Sequence, residues 1–166
     1  TLFPFFRKKK ITVPAPLHPE SKVLAPLQIP SYNKIAIALD FSLNDQKLLA
    51  HAISQGKANT RYLLIHVVES ASARFLGKDS DDLETRTDEE RLQQYILQLE
   101  KGGFSAEGKL GFRDRAREIA RLVREENADM LIIGAHGHSG IKDWIYGETI
   151  ESVRHELKIP VLIVNL

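Results

Sequence analysis

The last 37 residues constrain this chain more than any other stretch: MLIIGAHGHSGIKDWIYGETIESVRHELKIPVLIVNL, from Met130 to Leu166. An apolar run, Met130 to Ile133, meets Gly134, and a second run, Val161 to Val164, follows a helix-like segment that stops before Pro160. Short runs of continuous, mostly β-branched residues suit strands covered on both faces, and such strands belong to parallel sheets flanked by helices. The spacing predicts strand, glycine-marked loop, helix beginning near Gly147, and strand. Ligands of open α/β sheets sit where loops leave the carboxyl ends of the strands, so the Gly134 loop is the first place to look for function.

The rest of the chain repeats the alternation. KIAIALD, from Lys34 to Asp40, reads as a buried strand, and Ser42 with Asp45 three residues on reads as an N-cap in a variant capping box. Leu48, Leu49, Ala52 and Ile53 then recur at helical spacing up to Gly56. Tyr62 to Val68 is a second strand, and the Ser- and Asp-rich stretch Ser70 to Asp82 reads as a loop. A charged helix over Leu83 to Lys101 places Leu92, Ile96 and Leu99 on one face. Phe104 to Leu110 alternates and is less apolar, as an edge strand is. A third helix, over Asp114 to Asn127, leads into the Met130 strand.

These elements predict an α/β fold, a five-stranded parallel doubly wound sheet of flavodoxin or Rossmann type with strand order 3-2-1-4-5. In that order the first and fourth strands meet at the switch point, so Asp40 and the Gly134 loop converge.

At 166 residues, one domain is the expectation, preceded by a different kind of sequence. Residues 1–31 hold Pro14, Pro16, Pro19, Pro26 and Pro30, a density that removes amide donors and favours an extended linker. The boundary is therefore drawn between a leader, 1–31, and a domain, 32–166. Residues 1–32 carry five Lys and Arg against Glu20, leaving 18 basic against 21 acidic residues for the remainder. No overall positive field invites nucleic acid. The absence of cysteine excludes disulfides and thiolate sites and fits a cytoplasmic location. The opening TLFPFFRKKK reads either as the cytoplasmic edge of a preceding membrane helix or as a disordered leader.

G-x-x-G at Gly134 and Gly137, with Gly147 beyond, lets backbone approach a phosphate, and amides at a helix starting near Gly147 would attract an anion; plain turns are the competing reading. Taken together, YNKIAIALDFS, LLIHVVE, the spacing G-x-x-G-x9-G and the closing IPVLIV resemble the universal stress protein family over Tyr32 to Leu166. The resemblance implies an adenine nucleotide, ATP or ADP with magnesium. Asp40 and Val67 would contact the adenosine, and Gly134, His136, Gly137 and Gly147 the phosphates. It also implies a homodimer through the last strand, which as an edge over Ile159 to Val164 offers a pairing surface. The nucleotide-binding branch has Ser or Thr after the third glycine, whereas this chain has Glu148, followed by Thr149. A carboxylate there repels a triphosphate unless a cation bridges them.

The stretch GAHGHSGIKDWIYGETIESVRHELKIPVLIV is also similar to the cytosolic domain that follows the last membrane helix of some bacterial manganese/iron transporters of the natural-resistance-associated macrophage protein family. A regulatory tail on such a transporter is the first functional expectation. A free-standing ATP-binding stress protein is the alternative, and a metal-sensing or purely dimerising tail a third. His136, His138 and His155, with Asp143 and Glu148, are candidate manganese, iron or zinc ligands, though their spacing fits no tight template; the competing and favoured reading has His136 and His138 line a nucleotide loop and His155 pack or cap a surface. Catalysis finds no support, because Ser139 and Ser152 lack a nucleophile elbow and an acid partner. His66 reads as a core or strand-end histidine.

Overall fold

The computed structural model describes residues 24–79, 82–135 and 141–166, apart from the side chains of 141–147. Five parallel strands, β1 (Lys34–Leu39), β2 (Arg61–Val68), β3 (Ser105–Phe112), β4 (Met130–Ala135) and β5 (Val161–Asn165), form one sheet in the order β3-β2-β1-β4-β5. The expected fold class and strand order are both found.

Continuous apolar runs become the central strands because helices cover both sheet faces. Ile35, Ile37, Leu64 and Ile132 point to one face, where α1 (Asp45–Gln55) adds Leu48 and Ala52, and α3 (Leu83–Lys101) adds Leu92, Ile96 and Leu99. Ala36, Leu63, Ile65 and Leu131 point to the other face, against α4 (Arg115–Glu125) and α5 (Ile141–Glu156). Polar β3 lies at one edge, and β5 lies at the other. Close approach explains Gly108 in β3: a Cβ there would lie 2.8 Å from Ile96 Cδ1 and from Leu92 Cγ, so α3 seats directly on the strand.

Three local expectations are corrected. First, Ser70–Asp82 is not simply a loop: α2 (Ala71–Leu76) and a 3-10 turn (Gly77–Asp79) lie within it. Its Ser and Asp residues act as caps. Ser70 Oγ accepts from the Ala73 amide at 3.0 Å, and Asp82 Oδ1 accepts from the Thr85 amide at 2.8 Å at the start of α3. Ser70 and Ser72 donate to the other Asp82 oxygen, and these hydrogen bonds hold its carboxyl well below the usual range.

Second, Ser42 does not cap α1. Its amide donates to Asp40 Oδ1 at 3.0 Å and its hydroxyl accepts from the Asn44 amide at 3.2 Å, making local turns, and the helix starts only at Asp45. Third, α5 starts at Ile141, so Gly147 lies inside the helix rather than ahead of it. Only the first four amides of a helix lack intrahelical partners, so Gly147, Glu148 and Thr149 do not supply the open amide terminus that the sequence suggests.

Residues 24–31 are exposed and carry no regular structure, with Leu24, Leu27 and Ile29 each more than four-fifths exposed. Among the described residues, no helix is long and apolar enough to cross a membrane. The expectations about residues 1–23 fall outside the described residues.

Candidate functional site

The β1–β2 ladder ends at the Leu39–His66 pair and the β1–β4 ladder at Ala38–Ile133. Past those pairs the chains diverge, and a cavity of about 250 Å³ opens at the switch point. Asp40, Val67 and Gly134 all line it, together with Thr149 from α5. The strand order therefore brings together three residues that are far apart in sequence. At Gly134, an added Cβ would sit 2.3 Å from Leu166 Cδ1, so glycine leaves room for the Leu166 side chain in the cavity wall. Leu166 is tied there by its amide, which donates to Ala135 O at 2.9 Å.

The floor is acidic and aromatic. Phe41, in the left-handed backbone region at φ 58°, stacks on His66 with ring centroids 4.0 Å apart and meets Tyr95 edge-on. The two ring nitrogens of His66 face acceptors on opposite sides, Leu39 O at 3.0 Å and Asp88 Oδ2 at 3.1 Å. Both contacts are hydrogen bonds only when both nitrogens carry hydrogen. Thus His66 is a structural pin between β1, β2 and α3 at the cavity wall, as a strand-end histidine is expected to be.

Asp45 is the residue that sequence reasoning misjudged. It is not a capping partner: it is 1 % exposed, and neither carboxylate oxygen has a hydrogen-bond partner. Burial, followed by the neighbouring Asp40 charge, pushes its carboxyl up to about 7. A helix-start aspartate is common, and nothing local in FSLND signals that this one is buried beside Asp40 and Tyr95.

A second cavity, of about 490 Å³, adjoins the first and shares Glu69, Arg115 and Thr149 with it. Arg74 of α2 and Arg113 of the β3–α4 turn also line it, as do Glu148 and Ser152 of α5. The arginines had a readable signal: FRDRAR follows the carboxyl end of a strand, the edge at which this fold places ligands.

Of the remaining expected site residues, only some are described. His136, Gly137, His138 and Ser139 lie outside the described residues, as does the side chain of Asp143. Glu148 is exposed and Thr149 buried. His155 is exposed on α5 and pairs with Glu151 at 2.9 Å. Among the described residues, no group of three or more His, Cys, Asp or Glu side chains could hold a metal ion.

Comparison with known proteins agrees with this architecture. A model of the universal stress protein family matches residues 31–165. The chain is similar to universal stress protein Slr1230 of Synechocystis, at 29% identity over 144 residues, which cover 87% of this chain and 46% of that protein's length. It is also similar to universal stress protein MJ0577 of Methanocaldococcus jannaschii, at 25% identity over 81% of this chain and 95% of that one. A solved structure of MJ0577 superposes with a TM-score of 0.66 at 24% identity, covering 82% of this chain and 98% of that one. An Archaeoglobus fulgidus universal stress protein, solved in complex with dAMP, superposes with a TM-score of 0.60 at 20% identity, covering 80% and 98%.

Proposed function

Since the chain belongs to the universal stress protein family, we propose that its switch-point cavity binds an adenine nucleotide and that the domain is a nucleotide-responsive regulator rather than a catalyst. The carrying observation is the convergence of Asp40, Val67 and Gly134 on one cavity at the carboxyl ends of β1, β2 and β4. Val67 and Ile133 offer apolar surface to a base, and Asp40 offers an acceptor to amine or hydroxyl donors. The similar Archaeoglobus protein holds dAMP, which favours the same ligand class here. Magnesium enters as the counter-ion of a polyphosphate beside Glu148.

A ligand that binds only the folded state raises stability by RT ln(1 + [L]/Kd). ATP, ADP or AMP at a hundredfold excess over Kd should therefore add about 2.7 kcal/mol. Asp40→Ala should abolish most of the shift in a thermal-denaturation series, and an equal shift in the variant would reject the assignment.

The comparisons favour a universal stress protein over a transporter tail. Attachment to a membrane manganese/iron transporter rests on the basic, aromatic leader and on the GAHGH loop, and it remains a finer proposal. Manganese alone, added in the same thermal series, tests the associated histidine site.

We also propose a homodimer through β5. It is an edge strand in which Ile163 is 39% exposed, and an unpaired edge bearing an apolar residue invites a second copy. Sedimentation should show a dimer that Ile163→Lys converts to monomer, and an unchanged dimer would place the interface elsewhere.

A further inference from the structure

The phosphate end of the proposed ligand presents a contradiction that the structure helps to resolve. The residues expected there, Gly147 to Thr149, lie within α5, and Glu148 adds a carboxylate where a phosphate would run. Gly147 to Thr149 offer no helix-terminal amides and Glu148 no hydroxyl, while Thr149 lines both cavities. Guanidinium groups line the same cavity.

Three arginines from separate elements line the second cavity: Arg74 on α2, Arg113 in the turn after β3, and Arg115 at the start of α4. Carboxylates also stand near them. Glu69 is paired with Arg115, and Asp114 caps α4 by accepting from the Arg117 amide at 2.9 Å. Glu118, near Arg113, is bound at 2.9 Å by Arg121. Arg74 and Arg113 make no ion pair among the described residues, and both line the cavity that Glu148 also lines. Arg113 holds a left-handed backbone, φ 72°, and its guanidinium lies against Gly77 at the end of α2, the helix that carries Arg74.

We propose that this wall is an oligophosphate site, taking the outer phosphates of a nucleoside di- or triphosphate whose base lies at Asp40 and Val67. The shared residues Arg115 and Thr149 join the two cavities, so one ligand can span both. Planar guanidinium forks match phosphate oxygens and form charge-assisted hydrogen bonds with them, whereas a monophosphate or a cyclic phosphate would end short of Arg74 and Arg113. The inference rests on the nucleotide reading for what occupies the inner cavity, and the wall itself can be tested without it.

Titration calorimetry of the full chain with adenosine, AMP, ADP and ATP, free of divalent cations and at low and physiological ionic strength, reads the wall directly. ATP should bind about tenfold or more tightly than AMP, with the gain shrinking as salt rises. The double variant Arg74→Gln/Arg113→Asn should lose that gain and keep its adenosine affinity and thermal midpoint, because both arginines are exposed and Asn tolerates the left-handed turn. ATP no tighter than AMP, or a gain that survives in the variant, overturns the proposal. If adenosine and all nucleotides fail to bind, the adenine reading falls, and tripolyphosphate then judges the wall alone. Arginine-dependent binding of tripolyphosphate upholds the site, and its absence overturns it.

Discussion

Asp45→Asn should make this protein more stable, by about 2–4 kcal/mol at pH 8 and by almost nothing at pH 4. The carboxyl has an ordinary value of 3.8 in an open chain and about 7 in the fold, where burial and the Asp40 charge oppose ionisation. Between those values the folded protein keeps a proton that the unfolded chain releases. The contribution of this group is therefore most favourable at low pH, falls as pH rises from about 4 to about 7, and is flat above that. Asparagine is close in size, carries no charge to desolvate, and turns an amide donor towards a neighbourhood that contains the Asp40 carboxylate. Urea denaturation of both proteins across this pH range reads the difference, and a gain that stays constant with pH would mean that Asp45 carries no buried charge.

The same residue shows where the chain was legible and where it was not. KIAIAL and MLIIG announced two strands covered on both faces because burial of a whole strand leaves its mark on consecutive residues. The convergence of Asp40 and Gly134 then followed from strand order alone. Asp45 could not be read this way, since its enclosure depends on Tyr95 from a helix fifty residues on. The start of α5 was hidden for another reason. A glycine inside a helix costs only about 1 kcal/mol, so Gly147 did not break the turns that begin at Ile141. In Ser70–Asp82 the polar residues suggested a loop, but several are caps that help to build α2 and α3. The arginines come from α2 and, about forty residues on, from the turn after β3 and the start of α4, and parallel pairing of β2 with β3 brings those elements to one edge.

His66→Ala should cost about 3 kcal/mol, even though the residue lies at a strand end rather than in the centre of the sheet. The substitution removes the partner of the Leu39 carbonyl and of the Asp88 carboxylate, whose side chain is only 9% exposed, and it removes the surface on which Phe41 stacks. Arg91 stands 3.8 Å from the other Asp88 oxygen and is more than half exposed, so it can compensate only in part. Phe41 holds a left-handed backbone that a phenylalanine adopts at a cost, and without the imidazole beneath it the strained turn after β1 loses one of its supports. That turn carries Asp40, so the same variant should weaken nucleotide binding without touching the ligand. A double-mutant cycle separates the two losses. If the buried His66–Asp88 contact carries the cost, Asp88→Ala added to His66→Ala should be less damaging than the two single changes together, with a coupling of about 1–3 kcal/mol. Strict additivity would assign the loss to the Phe41 stack and the Leu39 carbonyl instead.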